Sequence, residues 1–168
     1  MLLPPDLHTL AQKIIDSYAH EKRSIVTAES CTGGLIAAAL TEISGASAVI
    51  ERGFVSYSND AKIEVLGVPP DVLERHGAVS REVAEAMAAG ALEFSRADVA
   101  LSVTGIAGPT GGSAEKPVGL VYFGFATRAG VLFHVRCQFK GDRADIRRQA
   151  VQEGLSLLAT HIAAGDVA

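Results

Sequence analysis

The chain has 168 residues, of which 48% are hydrophobic, and its formal net charge is −4. This length suits one domain with a sizeable core, and the negative charge argues against a protein that binds nucleic acid by neutralising phosphates. No apolar run is long enough to cross a bilayer, and the N-terminus does not show the pattern of a signal peptide. We therefore expect residues 1–168 to form one domain of a cytoplasmic protein.

Helical and extended patterns alternate along the first hundred residues. In chain order they predict a helix from Leu7 to Tyr18, a strand over 24–29, a helix from Gly33-Gly34 to Gly45, a strand over 53–57, a helix capped by Ser58 or Asn59 and closed by Gly67, a short helix over 69–77, and a long helix from Ser80 to about Phe94.

The last third of the chain predicts a strand over 98–104, a long polar loop at 105–117, a hairpin of strands 118–127 and 131–139, and a terminal helix that starts at Gly141-Asp142. Because the hairpin adds antiparallel strands, we predict an α/β fold, a single-domain three-layer α/β/α sandwich with a mixed sheet. The loop at 105–117 is longer than most connections, which favours a binding role.

Two polar, glycine-bearing loops each follow a short apolar strand. Loops at the carboxyl ends of strands are where α/β sheets bind ligands, and glycines let the backbone approach them closely. We expect the donors in these loops to hold a substrate: Ser30, Thr32, Gly33 and Gly34 in the first, and Thr104, Gly105 and Gly108 in the second.

Several familiar sites are excluded. Neither loop contains the Gly-Lys-Ser/Thr of a P-loop, no Gly-x-Gly-x-x-Gly follows the first strand, and Gly-x-Ser-x-Gly is absent. The five histidines are scattered, and the two cysteines, Cys31 and Cys137, cannot complete a four-ligand zinc site. We predict no metal and no cofactor.

Lys62 is the titratable residue that most suggests chemistry. It falls in the first turn of a short predicted helix, where the helix dipole disfavours an ammonium, and burial would lower its pKa further. A solvated surface lysine is the alternative. Tyr57 and Ser47 lie upstream, and a serine activated by a lysine can attack an amide without histidine.

Six segments together resemble the CinA C-terminal domain family, which includes stand-alone nicotinamide-nucleotide amidohydrolases. They are Thr27–Gly34, Gly45–Ser47, Gly53–Lys62, His76–Ser80, Thr104–Pro109 and Glu115–Gly119, and the resemblance continues to Gly141-Asp142-Arg143. The family fold is an α/β/α sandwich.

The resemblance implies hydrolysis of the carboxamide of nicotinamide mononucleotide, which gives nicotinic acid mononucleotide and ammonia. It also implies a nucleophile at Ser47, a general base at Lys62 and a supporting hydroxyl at Tyr57. Asn59 and Arg143 would help to hold the substrate, and a homodimer is expected from the family. The expected partner is a small molecule, neither nucleic acid nor a membrane.

Three alternatives stay open at this point. Ser30 is a rival nucleophile, since a side chain between a strand and a helix can be exposed near helix N–H groups. Cys31 beside it is another, although a free cysteine is more often a packed apolar residue. The chain could also be a non-catalytic nucleotide-binding or interaction module related to competence/damage-inducible CinA proteins.

Overall fold

The computed structural model describes residues 3–162. In chain order the elements are α1 (Pro5–His20), β1 (Ile25–Glu29), α2 (Leu35–Thr41), a 3₁₀ turn (Ala46–Ala48), β2 (Ile50–Val55), α3 (Asn59–Leu66), α4 (Pro70–His76), α5 (Arg81–Glu93), β3 (Val99–Gly105), β4 (Leu120–Thr127), β5 (Leu132–Gln138) and α6 (Arg143–Thr160).

The five strands form one mixed sheet in the order β2-β1-β3-β4-β5. Strands β1, β2 and β3 are parallel, and β4 and β5 are antiparallel to their neighbours. Glu29 at the end of β1 lies opposite Val55 in β2 and Val103 in β3. The carboxyl ends of the three parallel strands therefore meet at one edge of the sheet.

Helices cover both faces of this sheet. α1, α2 and α6 pack on one face, and α3, α4 and α5 lie over the other. Successive β3 residues point to opposite faces, as a pleated strand requires: Leu101 belongs to the core under α6, whereas Ala100 belongs to the core under α5. The predicted three-layer sandwich with a mixed sheet is confirmed.

Three predicted caps, on the two helices α3 and α5, are also confirmed. The Ser58 side chain accepts from the Ala61 N–H, and the Ser80 side chain accepts from the Val83 N–H. Gly67 ends α3 in the left-handed conformation, with φ +65°, which glycine adopts without steric cost. The sequence could predict these caps because each of them depends on neighbouring residues alone.

The second strand is the main departure from the predicted elements. β2 runs from Ile50 to Val55, whereas the sequence pattern predicted residues 53–57. β2 is an edge strand, and Glu51 and Arg52 at its start pair with each other on the surface, so the polar beginning of this strand resembles a loop. Helix α2 also ends earlier than predicted, at Thr41.

Candidate active site

A cavity of about 270 Å³ lies at the carboxyl ends of the parallel strands. It is built from the loops after β1, β2 and β3, the first turn of α3, the α4–α5 connection and the first residue of α6. Its lining residues are Ser30, Cys31, Tyr57, Asn59, Lys62, Ala78, Val79, Thr104, Gly105, Ile106, Ala107, Gly108, Thr110, Gly111 and Arg143. Both predicted glycine-bearing loops therefore contribute to one site.

Lys62 reaches this cavity from the first turn of α3, and only 1% of the residue is exposed. Its Nζ lies 3.0 Å from Ser30 Oγ, 3.0 Å from the Ser56 carbonyl oxygen and 3.1 Å from the Tyr57 carbonyl oxygen. Burial holds the pKa of the Lys62 amine below its ordinary value, because the charged form is poorly solvated there.

The three partners of Lys62 fit an ammonium, which donates to all three, and also a neutral amine. A neutral amine has two N–H bonds and one lone pair, and the two carbonyl oxygens of Ser56 and Tyr57 can only accept. Lys62 Nζ donates to Ser30 Oγ, and this hydroxyl is the one partner of the three that can also donate, so a neutral amine can turn its lone pair to the Ser30 proton. This arrangement allows Lys62 to remove the proton from Ser30.

Ser30 is held in place by the backbone on both sides of it. Its N–H donates to the Val103 carbonyl at 3.0 Å, and its own carbonyl accepts from the Gly33 N–H at 3.0 Å. The preceding residue, Glu29, is 1% exposed and caps α2: its carboxylate accepts from the Ile36 N–H at 2.9 Å and the Ala37 N–H at 3.0 Å. These contacts anchor both ends of the loop that carries Ser30.

The other predicted donors of the first loop do not line the cavity. The Thr32 hydroxyl is buried and donates to Glu29 Oε1 at 2.7 Å, a hydrogen bond that stabilises the loop. Gly33 and Gly34 both have positive φ and form the turn into α2. Thr32, Gly33 and Gly34 are absent from the cavity lining, so they shape the loop that carries Ser30, and direct substrate binding by them stays a prediction.

Predicted substrate-binding residues of the second loop and of α3 do line the cavity. Thr104, Gly105, Gly108 and Asn59 all line the cavity. The Thr104 hydroxyl donates to the Ala78 carbonyl at 2.9 Å, which ties β3 to the α4–α5 connection. Whether these residues touch a substrate stays a prediction.

Arg143 closes one side of the cavity from the start of α6. Its Nη1 donates to the Gly108 carbonyl at 2.8 Å, and its Nη2 donates to the Tyr57 hydroxyl at 3.1 Å. Tyr57 contacts Lys62 through its backbone carbonyl, and its ring is directed to Arg143 at the exposed mouth. Tyr57 thus lies at the site, but its hydroxyl does not join the Ser–Lys pair.

Ser47 does not meet Lys62. It is exposed in the 3₁₀ turn before β2, next to the amino ends of the parallel strands, where Ile25 pairs with Ile50. The six residues of β2 separate this turn from the cavity, a distance of roughly 17 Å at about 3.3 Å per residue. Within this chain the structure therefore does not bring Ser47 to Lys62 and Tyr57, a grouping that rested on the family resemblance and on nearness in sequence.

Cys31 lines the cavity but is not activated. Burial raises the pKa of its thiol to about 12, so the thiol stays protonated at neutral pH. It has the character of a packed apolar residue, in agreement with the sequence interpretation.

Two charged residues that the sequence interpretation passed over support the site. Glu29 caps α2 as described above, and Arg147 of α6 donates to the carbonyls of Cys31 and Thr32. An acidic residue between a strand and a glycine turn was the available signal for Glu29. No signal marked Arg147, whose contacts bridge positions more than a hundred residues apart.

Across residues 3–162, no three or more His, Cys, Asp and Glu side chains group closely enough to hold a metal ion. In the same part of the chain, no helix combines the length and apolar character that a membrane crossing needs.

Comparison with known proteins places these observations in a family. A model of the CinA C-terminal domain matches residues 7–162. The "Nicotinamide-nucleotide amidohydrolase PncC" of Enterobacter agglomerans is 54% identical over 144 residues, which cover 86% of this chain and 88% of that protein. The protein of the same name from Escherichia coli K12 is 49% identical over 153 residues, which cover 91% and 93% of the two chains.

Solved structures agree with this assignment. The competence/damage inducible protein CihA from Agrobacterium tumefaciens is 51% identical and superposes with a TM-score of 0.93, covering 95% of this chain and 98% of that one. With the same fold and a family model that spans nearly all of its residues, the chain belongs to the CinA C-terminal domain family.

Proposed function

We propose that this protein hydrolyses the carboxamide of nicotinamide mononucleotide to nicotinic acid mononucleotide and ammonia. The observation that carries the proposal is the 3.0 Å contact between Ser30 Oγ and the buried Lys62 Nζ inside the cavity. Relatives about half identical to this chain carry the name of that activity. An amide is a poor electrophile, and a serine paired with a neutral amine is a suitable nucleophile for it.

The proposed reaction has two halves. Lys62 takes the Ser30 proton while Oγ attacks the carboxamide carbon, and the C–N bond then breaks as Lys62 gives that proton to the leaving ammonia. Water next attacks the resulting ester, Lys62 accepts a proton from this water, and the proton returns to Ser30. The net change is one amide and one water converted to one carboxylic acid and one ammonia.

The shape and charge of the cavity support a pyridine nucleotide as the substrate. Its volume of about 270 Å³ is at the small end for a ligand site, which suits the pyridine ring and its carboxamide. Among residues 3–162 no Asp or Glu lines it, and the guanidinium of Arg143 lies at its side, so a substrate phosphate meets positive charge at the mouth. Substrate binding by Asn59, Thr104, Gly105, Gly108 and Arg143 belongs to this proposal.

A direct test incubates the purified chain with nicotinamide mononucleotide and measures ammonia. Ser30→Ala and Ser47→Ala form a matched pair, because the first serine contacts Lys62 and the second is exposed at the other end of β2. We expect Ser30→Ala to lower kcat by on the order of 10²–10⁴-fold or more, the usual scale for removing such a group. Ser47→Ala should retain full activity.

Other outcomes of this experiment are informative. Binding of nicotinamide mononucleotide without ammonia release favours the alternative, a non-catalytic nucleotide-binding module. An inactive Ser47→Ala beside an active Ser30→Ala rejects the nucleophile proposed here and supports the family-based expectation.

We also propose that the protein is a cytoplasmic homodimer that serves pyridine nucleotide salvage. Both cysteines of the chain are free thiols, which suits a reducing compartment. Val55 on the edge strand is 53% exposed and Tyr57 just after it is 61% exposed, an apolar surface that a second copy can cover. Light scattering on the purified protein tests the assembly: a monomer mass across micromolar concentrations rejects the dimer.

A further inference from the structure

The loop that carries Ser30 lies between the two helical layers of the sandwich. On the side of α3, Ser30 meets Lys62. On the side of α6, Arg147 Nε donates to the Cys31 carbonyl at 3.1 Å, and Arg147 Nη2 donates to the Thr32 carbonyl at 3.3 Å. The two residues that follow Ser30 are therefore held from the layer opposite Lys62.

The contacts of Arg147 differ from those of the arginine beside it. Arg147 is half-buried, and its guanidinium fork spans two consecutive backbone carbonyls. Arg148 is exposed and forms a 3.4 Å ion pair with Asp145 on the surface of α6. A planar guanidinium that binds two neighbouring carbonyls fixes the orientation of both peptide groups, which a single point charge does not do.

We propose that Arg147 is a positioning residue for the amidase reaction. It holds the loop from Ser30 to Gly34 so that Ser30 Oγ stays within hydrogen-bond distance of Lys62 Nζ. This inference rests on the proposed function, in which Ser30 is the nucleophile.

Contacts of Ser30 and Glu29 anchor the ends of this loop, and Arg147 adds an attachment in its middle. Gly33 and Gly34 both adopt positive φ, and glycine is the residue with the greatest backbone freedom. Without Arg147, water can solvate the Cys31 and Thr32 carbonyls in several loop conformations. A shift of about 1 Å at a reacting group can reduce the rate on the order of 10²-fold.

The test compares variants of the full chain in the ammonia assay. We expect Arg147→Ala to lower kcat on the order of 10²-fold and to leave KM within a small factor, because Arg143 and the second loop still line the cavity. Millimolar guanidinium ion should restore part of the lost rate by occupying the vacated space. Arg147→Lys should stay impaired, since an ammonium cannot span both carbonyls. Arg148→Ala, the matched control, should behave as the wild type.

A second readout does not depend on nicotinamide mononucleotide. Phenylmethylsulfonyl fluoride modifies activated serines, and peptide mass spectrometry measures the labelling rate at Ser30. This rate should fall in Arg147→Ala and recover with guanidinium. If the wild type is labelled but releases no ammonia, the proposed function fails while the positioning role stands.

Three results would overturn the inference. Equal labelling of Ser30 in the wild type and Arg147→Ala removes the positioning role. A raised KM at unchanged kcat makes Arg147 a substrate-binding residue. Lost activity that follows a lowered melting temperature and does not respond to guanidinium leaves Arg147 with a purely structural role.

Discussion

The amine of Lys62 must be neutral to accept a proton, so the pH dependence of turnover reports its ionisation. Burial lowers its pKa from an ordinary value of 10.5. We expect kcat to rise with pH through the lowered pKa and to level off before pH 10.5, where an unperturbed lysine would still be titrating.

Lys62→Arg tests the same requirement for a neutral base, because arginine keeps a long basic side chain but cannot become neutral. It should lower kcat on the order of 10²–10⁴-fold. Lys13→Arg on the exposed face of α1 is the control and should be as active as the wild type. A wild-type kcat that is flat across this pH range contradicts the proposed base.

Cys31 offers a second test at the scale of one residue. Because burial raises its pKa to about 12, almost none of the thiol is a thiolate at neutral pH. Iodoacetamide should therefore leave turnover intact, and Cys31→Ala should keep most of the activity. The contrary result is that iodoacetamide abolishes turnover in the wild type and in Cys137→Ala but not in an active Cys31→Ala. The thiol of Cys31 would then be accessible and reactive.

At the scale of elements, the contact between α3 and α5 places Lys62. Gly90 of α5 lies against α3 so closely that an added Cβ would come within 1.8 Å of the Leu66 carbonyl oxygen. This neighbour is backbone and cannot rotate away, so Gly90→Ala must push the two helices apart. We expect a loss of about 2–3 kcal/mol in the free energy of unfolding, the scale of overpacking a core.

Gly154→Ala in α6 is the matched comparison. Its added Cβ would meet the side-chain ends of Ile36 at 2.8 Å and Leu101 at 3.2 Å, which can move. The gain in helix propensity, about 1 kcal/mol, offsets part of the crowding. Urea unfolding of both variants should show the larger loss of unfolding free energy for Gly90→Ala. A larger loss for Gly154→Ala would show that the neighbours of α6 yield less to an added methyl group than the contact between α3 and α5 does.

The elements also show where reading the sequence succeeded. Caps such as Ser58 and Ser80, and the antiparallel hairpin, depend on local patterns and were predicted correctly. Edge strand β2 was misplaced because its first residues are polar and pair with each other. The grouping of Ser47 with Tyr57 and Lys62 had a different origin, since it came from the family resemblance and from nearness in sequence, although β2 separates Ser47 from the other two.

The candidate site was predictable in part for a related reason. Lys62 and the second glycine loop were identified because a helix start and a strand end are visible in the sequence. The pairing of Ser30 with Lys62 joins positions 32 residues apart, and Arg147 reaches Cys31 across 116 residues. Such contacts depend on the order of strands in the sheet, which no local pattern reveals.

For the whole molecule, burial of Lys62 makes the free energy of unfolding depend on pH. Between its lowered pKa in the folded state and the ordinary value of 10.5, the unfolded chain binds more protons than the folded chain. The free energy of unfolding is therefore highest, as far as this amine is concerned, above pH 10.5, where Lys62 is neutral in both states. It falls as pH decreases through the lowered pKa, because the folded chain must then bury an ammonium.

Lys62→Met isolates this effect. The gain in unfolding free energy of Lys62→Met over the wild type should be largest below the lowered pKa of Lys62 and should decrease as pH approaches 10.5. Urea titrations at a series of pH values measure it, with Lys13→Met as the exposed control. A difference that stays constant with pH would mean that Lys62 is as well solvated in the folded chain as in the unfolded one.

The two separate cores of the sandwich affect how the site responds to partial unfolding. Lys62 is anchored in the layer of α3 and α5, Arg143 and Arg147 come from the opposite layer, and Ser30 lies between them. A molecule in which either layer has loosened keeps most of its secondary structure but loses a member of the site. Turnover is thus a stricter measure of native packing than circular dichroism. During gradual denaturation, activity should be lost before or together with the tertiary structure of the less stable layer.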